Sequence, residues 1–236
     1  MNKEEITRIT EKDRYNIDDL RAVFSYLRGE NGCPWDRVQT HKTIRKDLIE
    51  ETYEVIEAID NQDSKLMREE LGDLLLQVVF HAGIEEEEGR FDLDDVINDL
   101  TYKLISRHTH VFGDTVAEDP DKAIDAWEAA KKIEKTDRKT VIDSMNAIPP
   151  SLPALMRGQK VVKKALKDNF DAENLVRNGA DALRSLADAI EGKVDVSSDS
   201  VTAESLMTIC AYAQLHSIDC EEILTGYITK FIDSYK

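Results

Sequence analysis

Residues 65–83, KLMREELGDLLLQVVFHAG, constrain the fold of this chain more than any other stretch. At about 100° per residue, Leu71, Leu74, Leu75, Leu76, Val78, Val79 and Phe80 project in nearly every direction, which predicts a helix buried over most of its circumference. Glu70, Asp73 and Gln77 nevertheless share one narrow stripe, with His81 at its edge. Two carboxylates are therefore carried side by side toward the interior. Buried carboxylates need partners, and a divalent cation suits several of them at once.

The remainder also reads as helical. With 10 glycines and 5 prolines in 236 residues, no strand-like alternation and apolar residues recurring at three and four, the expected class is all-α. A first helix should run from Asp18 or Asp19 to Leu27, followed by a loop, RGENGCPWDRVQTH, in which Gly29, Gly32 and Pro34 forbid a continuous helix. A second, from about Thr43 to Ile59, should bury Leu48, Ile49, Thr52, Val55, Ile56 and Ile59. Asp47, Glu51 and Glu54 line one of its flanks, and Glu50 and Glu57 lie farther round. The polar turn DNQDS is short enough to make the second and third helices antiparallel, which sets the Glu51/Glu54 flank against the Glu70/Asp73 stripe.

The acidic run at 85–88 reads as a solvated helix end. A helix from about Leu93 to Arg107 should bury Val96, Ile97, Leu100 and Leu104, and it places Lys103 and Arg107 one turn apart. HTHVFGDT reads as a loop. Asp119 and Pro120 open a further helix carrying Trp127 and Lys131 one turn apart. Three prolines in NAIPPSLP mark a boundary between an N-terminal domain, 1–140, and a second helical domain, 141–236, broken at GKVDVSSDS.

Charge narrows the partners. With 48 acidic against 31 basic side chains and a formal net charge of -17, the surface repels nucleic acid polymers and anionic membranes. Cys33, Cys210 and Cys220 have no metal-type spacing and are odd in number, as suits a reducing cytoplasm. The first twenty residues are charged throughout, and no stretch reaches the roughly 18 apolar residues of a membrane span. A soluble cytoplasmic protein is expected.

The Glu51/Glu54 and Glu70/Asp73 pairs each place oxygen ligands on adjacent turns of separate helices, and four such ligands suit hard Mg²⁺, or Mn²⁺. A ferritin-like di-iron site wants Glu-x-x-His pairs, whereas His81 lies well beyond Asp73. Taken alone, Lys103/Arg107 and Trp127/Lys131 read as surface charge and a core tryptophan. Together they offer the positive charge and aromatic face that phosphates and a base would use.

These residues also match a known pattern. GCPWDRVQTH (32–41), LIEETYEVIEAI (48–59), REELGDLLLQVVFHA (68–82), EEGRFDLDDV (87–96), KLISRHTHVFGD (103–114), WEAAKKIEK (127–135) and SLPALMRGQK (151–160) resemble, in order, the MazG family of the all-α NTP pyrophosphatase superfamily. The resemblance implies a MazG-type antiparallel helical bundle that hydrolyses nucleoside triphosphates to the monophosphate and pyrophosphate by attack between the α and β phosphorus atoms. It places the metal ligands on Glu51, Glu54, Glu70 and Asp73, the triphosphate contacts on Lys103 and Arg107, and the nucleotide contacts on Trp127 and Lys131. Glu50 is the candidate for orienting or deprotonating the attacking water, and Trp35 and His41 border either the nucleoside end of the pocket or a structural loop.

Two-domain members repeat the catalytic unit after the SLPALMRGQK segment. Here residues 180–190 and 201–212 occupy the expected places without a second carboxylate set, and Glu204 alone falls at a ligand position. A degenerate second repeat is expected, together with a homodimer that completes the helical bundle. Two other readings stay open: a catalytically silent nucleotide- or protein-binding module, and a dedicated dUTP, dCTP or phosphoribosyl-ATP hydrolase of the same superfamily.

Overall fold

The computed structural model describes residues 3–134, 140–167, 170–194 and 199–235, and every regular element among them is a helix. Part of the GKVDVSSDS break and the end of WEAAKKIEK lie outside the described residues. The chain divides into two compact units, Met1–Ala130 and Lys131–Lys236.

The first unit is built on a hairpin of α4 (Arg45–Asp60) and α5 (Ser64–Glu87). Gln62 turns the chain at a φ of 52°, and the Asp63 carboxylate then caps α5 by accepting from the amides of Lys65 and Leu66. Helix α2 (Ile17–Arg28) packs against α5, and α6 (Leu93–Arg107) returns along it. Both begin with reciprocal capping boxes, Asn16 with Asp19 and Asp92 with Asp95. The first box puts the start of α2 just ahead of the expected Asp18 or Asp19. The short helices α1 (Lys3–Thr10), α3 (Pro34–Val38) and α7 (Thr109–Phe112) were not legible in the periodicity, and α7 falls where a loop is expected. Helix α8 spans Pro120–Glu134.

The core of this unit gathers on the C-terminal half of α5, where Val79, Phe80, Ala82 and Ile84 meet Phe24, Ile44 and Leu93. Phe24 stands edge-on to Phe80 at 4.7 Å between ring centroids. Gly83 permits that approach, because a Cβ there would fall 2.4 Å from the Phe24 ring. The preceding turns of α5 have no such cover. Leu71, Leu75, Leu76 and Val78 are exposed in the single chain, so the expectation of a helix buried nearly all round is not met. The same holds for Ile49, Thr52, Ile56 and Ile59 on α4 and for Ile97, Leu100 and Leu104 on α6. Periodicity identifies an apolar face but not what covers it.

In the second unit, α9 (Val141–Asn146) and α10 (Ala154–Leu166) lead into a hairpin of α11 (Ala172–Ile190) and α12 (Asp199–Leu215), followed by α13 (Cys220–Asp233). Val162, Ala172 and Ala211 form its core. Where α11 crosses α12, a Cβ on Gly179 would lie 1.9 Å from Thr208 Oγ1, so the helices touch backbone to side chain. Among the described residues, no helix is long and apolar enough to cross a membrane.

Candidate metal centre

The α4/α5 hairpin brings together carboxylates that lie far apart in the chain. One ligand oxygen each from Glu51, Glu70 and Asp73 lies within 4.8 Å of the others. Glu54, one turn beyond Glu51, stands close enough to Glu51 and Glu70 for its charge to disfavour ionisation of both. Glu70 is only 8% exposed, Glu51 and Glu54 are half-buried, and Asp73 lies at the open side.

Crowding acids in this way disfavours their charged forms. Burial, reinforced by the charges of Asp73 and Glu54, pushes Glu51 up to about 7. Glu70 is raised for similar reasons, burial first, then the charges of Glu54 and Asp73. Such a cluster is destabilised by its own charge, and the partner that relieves it is a cation. The donors are all carboxylate oxygens, so the set fits a hard divalent ion and not one that prefers thiolate or imidazole.

The other expected site residues fall into two groups. Glu50 is exposed on α4 and lies outside the carboxylate group. Arg107 is buried at the end of α6, and its guanidinium carbon sits 5.3 Å from the centre of the Trp127 ring. The His108 ring meets Trp127 on edge at 4.7 Å. Lys131 follows Trp127 by one turn on α8, and Lys103 is exposed one turn before Arg107 on α6.

Comparison with known proteins fits this geometry. The MazG nucleotide pyrophosphohydrolase domain matches residues 39–112, which hold α4, α5, α6 and all four carboxylates. Over 223 residues the chain is 36% identical to the nucleoside triphosphate pyrophosphohydrolase/pyrophosphatase MazG of Thermotoga maritima, covering 93% of this chain and 84% of that protein. The chain belongs to the MazG family. It is also 47% identical over 156 residues to the nucleoside triphosphate pyrophosphohydrolase of Escherichia coli K12, and 45% identical over 150 residues to the uncharacterized protein YabN of Bacillus subtilis. Those two matches span 66% and 63% of this chain but only 59% and 30% of the relatives' own lengths.

Within and beside the MazG segment the structure adds contacts that sequence reasoning passed over. His41 Nε2 lies 2.7 Å from Glu85 Oε1, and His41 Nδ1 lies 2.7 Å from His81 Nδ1, with the two rings stacked. Arg90 binds the same Glu85 carboxylate, whose side chain is only 15% exposed. Glu85 is therefore no solvated helix end: the Arg90 and His41 hydrogen bonds hold it down at about 2. Arg28 grips Glu87 from the same acidic run and also donates to the carbonyls of Asp36 and Gln39, which fastens the CPWDRVQTH segment onto α5. Trp35 in that segment is exposed, with its ring 6.4 Å from Phe80, so it does not anchor the loop by burial. One signal for the histidine chain is visible in the sequence, since His81 continues the stripe of Glu70, Asp73 and Gln77.

Proposed function

We propose that this chain hydrolyses nucleoside triphosphates to nucleoside monophosphates and pyrophosphate at the α4/α5 carboxylate centre, as the names of its MazG relatives suggest. The observation that carries the reading is the convergence of Glu51, Glu70 and Asp73 ligand oxygens within 4.8 Å, inside the matched MazG segment. Glu51, Glu54, Glu70 and Asp73 would hold Mg²⁺, with Mn²⁺ as the alternative. A divalent ion so held neutralises phosphate oxygens and acidifies bound water, which is what in-line displacement between the α and β phosphorus atoms requires. Lys103, Arg107 and Lys131 would counter the charge on the departing pyrophosphate, and Trp127 would offer an aromatic face to the nucleotide. Glu50, exposed on the neighbouring flank of α4, would orient or deprotonate the attacking water only if substrate or a second subunit draws it toward the centre.

The domain reading places catalysis in 1–140 and treats 141–236 as a degenerate second MazG-like repeat. In its support, setting ESLMT (204–208) on α12 against EELGD (69–73) on α5 by their shared Glu and Leu would put Ser205 and Thr208 at the offsets of Glu70 and Asp73, and Glu204 at that of Glu69 and not of a ligand. Ser205 and Thr208 are buried, as are Gly179 and Ala182, spaced on α11 as Glu51 and Glu54 are on α4. Glu204, the residue expected at a ligand position, is exposed. Asp219 caps α13 as Asp92 caps α6, and Lys230 then falls at the offset of Lys103. The exposed apolar residues of α4, α5 and α6 support a homodimer that would cover them. A cytoplasmic location accords with the three free cysteines.

The test is pyrophosphate release from a panel of nucleoside triphosphates with Mg²⁺. Release by wild type, lost in Glu70→Ala, is the expected result; no release by wild type, or full activity in Glu70→Ala, overturns the reading. Nucleotide-dependent thermal stabilisation without turnover would favour a silent binding module instead. Turnover confined to dUTP, dCTP or phosphoribosyl-ATP would mark a dedicated hydrolase.

A further inference from the structure

Gln77 lies one turn beyond Asp73 on the stripe that carries Glu70, and it is 6% exposed. Its Oε1 is buried and meets no hydrogen-bond donor among the described residues. A buried carboxamide oxygen without a donor costs stability, so a fold keeps one only where something else supplies the proton. Helical side chains lean toward the N-terminus of their helix, which carries Gln77 back over the turn of Asp73. Asp73 stands one turn back on that side of α5, and its carboxylate, once charged, only accepts. A water in the coordination sphere of a divalent cation is the strong donor that such a place would hold.

We propose that Gln77 is a positioning residue for the metal centre, its Oε1 accepting a hydrogen bond from a water bound to the cation held by Glu51, Glu54, Glu70 and Asp73. The inference rests on the reading of those carboxylates as metal ligands. Gln77 thereby acts on the ion through the water and fixes the water's orientation, the role that outer partners play at other metal sites. The unfilled hydrogen bond of the metal-free protein is then the cost of a site built for its loaded state.

The experiment measures Mn²⁺ affinity by electron paramagnetic resonance, and the melting temperature of the metal-free full chain, for wild type, Gln77→Met and Gln77→Glu. Met keeps the bulk and removes the acceptor; Glu keeps an acceptor oxygen. The expected result is Mn²⁺ affinity at least about tenfold weaker in Gln77→Met, with a metal-free melting temperature at or above that of wild type. Gln77→Glu should stay within about threefold of wild-type affinity, because the acceptor survives. Wild-type affinity in Gln77→Met overturns the proposal. So does a lower metal-free melting temperature in that variant, which would mean that the carboxamide already bonds within the protein. If wild type itself binds no Mn²⁺, the metal-ligand reading fails first, and that failure is distinguishable from one confined to Gln77.

Discussion

His41 and His81 share a hydrogen bond 2.7 Å long between their Nδ1 atoms, so one of those nitrogens carries a proton and the other does not. Glu85, held ionised, accepts from His41 Nε2, which leaves His41 Nδ1 as the acceptor and His81 as the donor when both rings are neutral. The chain Glu85–His41–His81 thus ties the loop before α4 to the C-terminal half of α5.

This tie carries a pH signature. Burial first, and then the neighbouring His41, lower the His81 pKa from 6.5. The unfolded chain therefore takes up a proton near 6.5 while the folded protein resists it, and stability falls as pH drops below that value toward the folded pKa. Glu85 is lowered from 4.5 to about 2, so its contribution is intact above 4.5 and is lost only as pH falls toward 2. Glu51 titrates with the opposite sign over the same upper range, so the readout is a difference between metal-free variants. His81→Gln should gain melting temperature relative to wild type as pH falls through 6.5, while the decline below 4.5 persists in both.

Glu51 has the opposite sign. Burial and the surrounding acids raise it from 4.5 to about 7, so its protonated form is favoured on folding, and the stability it contributes is complete below 4.5 and lost as pH rises through 7. Metal-free Glu51→Gln should lose that decline. The same proton competes with a cation. Mn²⁺ affinity of wild type should climb by up to about tenfold per pH unit below 7 and level off above it; titrations at pH 6, 7 and 8 would show it.

Much of this was legible in the sequence, for identifiable reasons. Helix α6 begins and ends where its pattern predicts, because Asp92 and Asp95 form a capping box that local spacing reveals. The pairing of Glu51 and Glu54 with Glu70 and Asp73 followed from two helical periods and one short turn. What stayed hidden depends on contacts between distant segments. Arg28 reaching Glu87, and His41 reaching His81 and Glu85, are contacts that local periodicity does not specify, although it sets His81 on the Glu70 stripe. The exposed face of α5 was misread because apolarity reports that a surface wants cover, not whether its own chain supplies it.

Arg28 is nearly buried, at 6% side-chain exposure, and four contacts depend on it. Its Nε and Nη2 each lie 2.6 Å from a Glu87 carboxylate oxygen, its Nη1 donates to the carbonyls of Asp36 and Gln39, and its guanidinium sits 5.3 Å from the Phe80 ring centre. Arg28→Ala would strand those carbonyls and should cost about 2–3 kcal/mol in urea unfolding. Glu87→Gln should cost about 1 kcal/mol or less, since Glu87 is half exposed. Equal losses in the two variants would show that the ion pair, and not the loop contact, is what Arg28 supplies.

Leu71 and Leu75, one turn apart on α5, are 49% and 40% exposed in the single chain. If a second copy covers them, a charge there must be desolvated on association, at a cost that outweighs the apolar gain. Leu75→Glu should convert a dimer into a species of 26.8 kDa by equilibrium sedimentation. It should leave the monomer's stability nearly unchanged, because that surface already faces water. A wild type sedimenting as the monomer would remove the dimer from the proposal.

Gly179 and Thr208 give the test for the second unit. A Cβ at Gly179 would meet Thr208 Oγ1 at 1.9 Å and its Cγ2 at 2.8 Å, and Thr208 cannot simply rotate away without breaking the bond from Oγ1 to the Glu204 carbonyl. Gly179→Ala should therefore cost about 1–3 kcal/mol through overpacking. Thr208→Ala removes the two nearest obstructing atoms and leaves only Cβ, at 2.9 Å, so the double variant should lose less than the two single variants combined, with a coupling of about 1 kcal/mol or more in urea unfolding. Strict additivity would mean that the helices yield, and that the spacing between α11 and α12 is soft. A rigid contact has a chemical consequence. Helices held this close by a glycine and a threonine leave no width for facing glutamates and an ion, so α11 and α12 could not carry a carboxylate cluster like that of α4 and α5 without loosening their packing.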